Sequence, residues 1–180
     1  MVSCTQTSLP IFETKTLKIY TDAAWITDRA ASVFLLAAKN RYIYAQYTLR
    51  RSLKGSIESE LYAISDAVNF IIQNKNSFPN LSYIHIYTDS KEALRQIQEN
   101  YKKYKLYYLT HDILAKTSVY HTTFNYIKGH SYTTNPNKYV DILARKLLKM
   151  EELWDDNTDM HITSSSNCSG FVLFNTFNSA

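Results

Sequence analysis

Hydrophobic positions change period several times along the chain. Leu17–Thr21 (LKIYT) alternates, and two further apolar and aromatic runs follow, Ala31–Ala38 (ASVFLLAA) and Tyr42–Leu49 (YIYAQYTL), joined by Lys39-Asn40-Arg41. Three such runs with short links predict three strands in an antiparallel meander. The period then lengthens: Leu61, Ile64, Val68, Ile71 and Ile72 form one stripe, which predicts a helix over Glu58–Gln73. Asn76 to Asn80, with Pro79, interrupts it, and Leu81–Thr88 predicts the next strand. Ser90 is an N-cap for a helix running to about Glu99. The basic, aromatic stretch YKKYKLYYL leads into a second helix ending near Lys116, and Tyr120–Ile127 is β-rich. After KGHSYTTNPN a last helix carries Val140, Leu143, Ala144, Leu147 and Leu148 on one face. The pattern therefore divides the chain into a polar leader over 1–15, one α/β domain over 16–150 and a tail over 151–180. The tail is first acidic and then rich in Ser, Thr and Asn, with FVLF at Phe171–Phe174 able to dock locally.

Right-handed crossovers in the order βββ-α-β-α-α-β-α set the Leu81 strand parallel to the first strand. That matters because "IYTD" occurs twice, at Ile19 to Asp22 and at Ile86 to Asp89, each time closing a strand-like run. One Asp after a strand is ordinarily a cap or turn residue. Two matched copies on neighbouring strands bring two carboxylates to one edge of a mixed sheet. Carboxylates held together in a partly buried place repel, and a cation relieves the conflict. Hard oxygen ligands select magnesium or manganese.

Further ligands are expected where an acid is otherwise out of place. In the first helix Glu58 shares a face with Tyr62, Ser65 and Asn69, the solvent side, whereas Glu60 shares one with Ile64, Ala67 and Ile71, the core side. Glu60 is the misplaced acid. In the last helix Asp141 lies at the edge of the apolar stripe, one turn from Ala144. Asp28, Asp66 and Asp112 lack this signature and are read as solvated surface charges.

Composition narrows the picture. The 180 residues are 45% hydrophobic and 20% charged, as in globular domains. The net charge of +4 is compatible with a polyanionic partner. Three glycines in the whole chain leave no G-x-G-x-x-G and no Walker sequence. Two cysteines, Cys4 and Cys168, have no metal-ligand spacing and point to a reducing, intracellular compartment rather than a disulfide framework. The leader lacks the regions of a signal peptide, and no run approaches the roughly 20 apolar residues of a membrane span.

YTDAAW, IESELYAI, IYTDSKEAL and KGHSYTTNPNKYVDILARK occur in that order between Leu17 and Met150. This series resembles the motifs of type 1 ribonuclease H, nearest in flavour to the domains of non-long-terminal-repeat retrotransposons and plant-type reverse transcriptases. The resemblance implies a five-stranded mixed sheet flanked by helices, with three antiparallel and then two parallel strands in the order 3-2-1-4-5. It implies four metal ligands at Asp22, Glu60, Asp89 and Asp141, in agreement with the helix-face choice of Glu60 over Glu58. It also implies a loop histidine at His130 that assists proton transfer or product release. The implied activity is two-metal hydrolysis, with Mg2+ or substituting Mn2+, of the RNA strand of an RNA/DNA hybrid, leaving a 5′-phosphate and a 3′-hydroxyl. Such duplexes are recognised through shape, backbone and 2′-hydroxyls. The candidate substrate contacts are Ser56, Ser90, Lys91, Lys102, Lys103 and Lys105. For Ser90 a plain N-cap role competes, and for the lysines a solvated helix end does.

The chain departs from the family pattern after the first acid, where Ala23-Ala24-Trp25 replaces glycine-containing turns, and at Lys138, where an acid is common. Tyr101 to Leu109 is too short for the extra helix and basic handle of some relatives, so a reverse transcriptase or other polymerase domain is the expected source of additional grip. A proofreading-type exonuclease needs D-x-E on its first strand, and Ala23-Ala24 follow Asp22 here. A transposase or integrase needs a different acid spacing and a final Glu. The alternative of a different class is a catalytically weak or inactive nucleic-acid-binding or scaffolding module on the same fold.

Overall fold

The structure is a computed structural model that describes residues 9–129, 135–154 and 168–173. Its elements are β1 (Thr16–Ile26), β2 (Arg29–Ala38), β3 (Arg41–Arg51), α1 (Ser56–Gln73), β4 (Tyr83–Thr88), α2 (Lys91–Glu99), α3 (Tyr107–Thr117), β5 (His121–Tyr126), α4 (Pro136–Lys149) and β6 (Cys168–Leu173). β1 to β3 form the antiparallel meander, and β4 and β5 add in parallel on the other side of β1. The first five strands lie in the order 3-2-1-4-5. β2 and β3 are joined at Lys39 and Asn40, both left-handed (φ 49° and 60°), which is the backbone of a tight hairpin turn with the twist of the flanking strands.

The two faces of the sheet bury separate clusters. Leu17, Ile19, Phe34, Leu36, Ile84 and Ile86 pack against Ile64 and Ile71 of α1 and against Ile97 and Ile113 of α2 and α3. Tyr20, Val33 and Leu35 of the other face pack against Val140, Ala144, Leu147 and Leu148 of α4. Period-2 alternation in β1 thus assigns odd positions to the α1 side and even positions to the α4 side. Asp22 is on the α4 side.

Packing continues beyond the span that the sequence pattern assigned to the domain. Trp154 is 4% exposed in the α4-side cluster, its indole N–H donating to Leu147 O at 3.1 Å. At the other end Phe12 stacks on Phe78 with ring centroids 5.3 Å apart. β6 pairs antiparallel with β3 from Tyr44↔Leu173 to Leu49↔Cys168 and makes the sheet six-stranded. An edge strand carries a row of unpaired N–H and C=O groups, and β6 satisfies those of β3. The docking expected of FVLF is thus a strand addition beginning at Cys168; Phe174 lies outside the described residues.

Candidate active site

β1 and β4 pair Ile19 with Ile86 and Tyr20 with Tyr87, so the two IYTD copies align residue for residue. Asp22 and Asp89 follow two residues later on these adjacent segments. One expectation is corrected here: β1 does not close at its aspartate. It runs on to Ile26, Asp22 pairing with Val33, because the β1–β2 hairpin keeps it bonded as far as Ile26↔Arg29. Only β4 stops, at Thr88, and Asp89 is the first residue beyond it.

α1 delivers the third acid. Asp22, Glu60 and Asp89 each offer a carboxylate oxygen within 4.8 Å of the other two. Asp22 is 4% exposed and Glu60 9%. Glu58 stands outside this group, as its helix face predicted, but it is not idle: its Oε2 accepts the Lys54 N–H at 2.7 Å, tying the incoming loop to α1. Asp141 also stands outside the three-acid group. It accepts from Arg145 Nε at 2.7 Å one turn along α4, yet its charge still acts on Asp22.

The electrostatics follow from this crowding. Burial, reinforced by the charges of Asp89 and Asp141, raises the Asp22 carboxyl to about 7 against the opposing bond from the Ala23 N–H, 2.8 Å from Oδ1. Burial also drives Glu60 well above the ordinary carboxylate range, with Asp22 and Asp89 adding to the rise. Glu60 Oε2 is buried and has no hydrogen-bond partner among the described residues. Three convergent carboxylates, one of which also carries a buried unpartnered oxygen, fit a divalent cation, which would offset their repulsion.

One residue at this site, and one on the helix that carries Asp141, escaped the sequence pattern. A Cβ on Gly129 would lie 2.3 Å from Asp89 Oδ2, so the bare α-carbon there makes room for the carboxylate. The scarcity of glycine beside the His130 loop was the available signal. Asn137, 1% exposed and with its Oδ1 unpartnered among the described residues, precedes Asp141 by one helical turn on α4. A buried amide at that spacing was its signal. His130 itself lies outside the described residues.

The remaining candidates are distributed unevenly. Ser90 is the N-cap of α2, its Oγ accepting the Ala93 N–H at 3.2 Å. Lys91 holds its ammonium 5.0 Å from the Tyr126 ring centroid. Ser56 and Lys105 are brought together in a groove of about 630 Å3 with Trp25 and Tyr104, beside the start of α1. Lys102 and Lys103 are exposed on the link between α2 and α3 and do not line it. Asp66 departs from the surface-charge reading. Both its oxygens accept from Arg50, one at 2.8 Å, and the two side chains are 14% and 8% exposed. The α1 sequence alone places Asp66 beside polar neighbours, whereas its partner comes from β3.

No family model and no curated protein matches this chain. Among solved structures, RNase H1 from the halophilic archaeon Halobacterium salinarum NRC-1 superposes with a TM-score of 0.60 at 14% identity, over 74% of this chain and 97% of that one. The N-terminal RNase H domain of a Mycobacterium tuberculosis protein gives 0.63 at 13%, over 78% and 99%. LC11-RNase H1 in complex with an RNA/DNA hybrid gives 0.62 at 14%, over 77% and 99%. The fold is therefore that of type 1 ribonuclease H, with the acid cluster formed by β1, the residue that follows β4 and the first helix.

Proposed function

We propose that this protein is an endonuclease of the ribonuclease H type, cutting the RNA strand of RNA/DNA hybrids and leaving 5′-phosphate and 3′-hydroxyl ends. The observation that carries this reading is the convergence of Asp22, Glu60 and Asp89 within 4.8 Å, on a fold shared with an enzyme solved on such a hybrid. Asp22, Glu60 and Asp89 are the primary metal ligands, and Asp141 is a fourth at the flank. Two divalent ions, magnesium with manganese able to substitute, supply a water of lowered pKa and charge stabilisation for the leaving oxygen when bound there.

The chain's own groups do the rest. Buried walls at Asp22 and Glu60 keep bulk water from the inner side of the cluster and strengthen every charge interaction in it. Gly129 holds the Asp89 carboxylate in place by leaving it space. His130 follows Gly129 in sequence and is the group for proton transfer or product release. Ser56 and Lys105 in the groove by α1, with Ser90 and Lys91 after Asp89, suit a sugar–phosphate backbone passing the acids. Lys102 and Lys103 add long-range attraction. With a net charge of +4, a polymerase or reverse transcriptase domain would supply further grip on the hybrid.

The test is cleavage of a labelled RNA/DNA hybrid in magnesium, with calcium and chelator as controls. Cutting confined to the RNA of the hybrid, sparing duplex DNA and single-stranded RNA, supports the reading. Hybrid binding without cutting in magnesium or manganese would instead identify an inactive binding module.

A further inference from the structure

The sheet face that carries Asp22 has a second chemistry at its other end. α4 packs on β1 and β2, while the starts of β4 and β5 leave side chains exposed on that face. Tyr83 is 46% exposed, and His121 and Thr123 are exposed beside it. These side chains fall in register rows. Thr16 pairs with Tyr83 and Tyr83 with His121, whose rings stack at 5.0 Å. The next row joins Lys18 to His85 and His85 to Thr123, with His85 Nδ1 2.8 Å from Thr123 Oγ1. Across β2 the same row reaches Ala37 and then Tyr42, 40% exposed.

A surface groove of about 510 Å3 opens at this end of the sheet, lined by Lys15, Lys18 and Lys39 together with Thr14, Thr16 and Asn40. Glu13 is the one carboxylate among its described lining residues, and its Oε2 accepts from Asn80 Nδ2 at 2.5 Å. β4 and β5 contribute no acid to the exposed rows.

We propose that this end of the sheet binds a single strand of nucleic acid, its phosphates on the lysines and its bases against the Tyr83, His121 and Tyr42 rings. A cationic groove beside aromatic faces on an open sheet is the physical requirement for sequence-tolerant single-strand binding. A protein partner would call for a contiguous apolar patch, whereas phenol, imidazole, hydroxyl and ammonium groups alternate here. At about 3.3 Å per residue the Thr16–Tyr83 row lies roughly 20 Å from Asp22 along β1. The strand held there is therefore not the one being cut but a single-stranded extension of the duplex at the acids. That link to the duplex rests on the reading under Proposed function; the binding itself does not.

The experiment is a fluorescence anisotropy titration of labelled oligo-U and oligo-dT against the full chain, in chelator so that no cleavage intervenes, at several salt concentrations. Lys18→Ala/Lys39→Ala should weaken binding of both probes and reduce the log–log salt slope by roughly 0.7 per lysine. Tyr83→Ala/His121→Ala should weaken it roughly tenfold with the slope unchanged. Lys75→Ala/Lys149→Ala removes the same charge elsewhere and should leave affinity within twofold. Circular dichroism melts verify that the variants fold, as expected for the exposed and half-buried positions they change. Equal losses in the control and the Lys18/Lys39 variant, or no loss in the ring variant, overturn the proposal. So does a concentration-dependent rise in mass by sedimentation that the ring variant abolishes, which would assign the face to a second copy of the chain. Loss of hybrid cleavage in Asp89→Asn with single-strand binding intact separates the two sites.

Discussion

Gly129 and Asp89 fit together only because residue 129 has no side chain: a Cβ would stand 2.3 Å from Asp89 Oδ2 and 3.2 Å from its Cγ. The glycine φ is not in the left-handed region, so space rather than backbone freedom is what a larger residue would lack. Gly129→Ala should push the Asp89 carboxylate aside. We expect hybrid cleavage to fall at least tenfold and the magnesium midpoint, read from thermal stabilisation, to rise. Melting in chelator should drop by no more than the ~1–3 kcal/mol of ordinary overpacking. An unchanged magnesium midpoint would show that the carboxylate swings aside without consequence for the ion.

Asp89→Asn separates catalysis from folding. It keeps the side chain's shape but removes one charge from a crowded site. In chelator it should melt at or above the parent's temperature, whereas in magnesium its cleavage should fall by orders of magnitude. Magnesium should stabilise the parent more than the variant, through linkage. Glu58→Gln, which alters the bond to the Lys54 N–H and the interaction with Tyr108, should retain cleavage with a stability loss of about 1 kcal/mol or less.

The acid cluster sets a pH dependence for the metal-free protein. The Asp22 pKa is raised to about 7, so the native state holds this proton more tightly than the unfolded chain does. Its destabilising effect is complete above about 7 and is relieved as the pH falls towards the ordinary carboxylate range near ~4. The melting temperature in chelator should therefore rise on acidification through that window. Saturating magnesium, which binds the ionised form, should flatten the slope or reverse it. Asp22→Asn should remove the Asp22 part of the effect and leave the part due to buried Glu60; a slope unchanged from the parent's would show that Asp22 contributes none of it.

Arg50 and Asp66 tie β3 to α1 through side chains outside the three-acid group. Arg50 also lies 4.5 Å over the Tyr62 ring and 3.3 Å from Ser32 Oγ. Asp66→Ala would strand a buried guanidinium, at a cost of about 3–5 kcal/mol. Urea unfolding should show that loss, while cleavage per folded molecule stays near the parent's.

Position in the groove should rank the lysines of the α2–α3 link. Lys105→Ala should weaken hybrid binding and lower the salt slope by up to about 0.9, the value for one phosphate contact. Lys102→Ala/Lys103→Ala should change affinity less, since neither side chain lines the groove. The reverse ranking would mean that the hybrid crosses the outer side of the link.

Residue pattern is enough to locate β1 to β5 and α1 to α4 and to mark Asp22, Glu60 and Asp89 as acids that meet, while the order 3-2-1-4-5 is what the family resemblance implied. The reason is local: the alternation of Leu17 to Thr21, the helical stripe from Leu61 to Ile71 and the repeat of IYTD are each written within a few residues. Helix periodicity alone separates Glu60 from Glu58, because facing the core is a property of the helix that carries the residue. Tertiary structure decided what depends on partners far along the chain. β1 passes through Asp22 because β2 continues to pair with it. Asp66 is paired because Arg50 reaches it from β3, and Trp154 is fixed because Leu147 accepts its indole N–H. β6 is a strand because the edge of β3 is open to it, more than 100 residues earlier. Gly129 is distinguished only by the oxygen of Asp89 that folding brings against its α-carbon. Periodicity reports which way a residue faces, and only packing decides what it meets there.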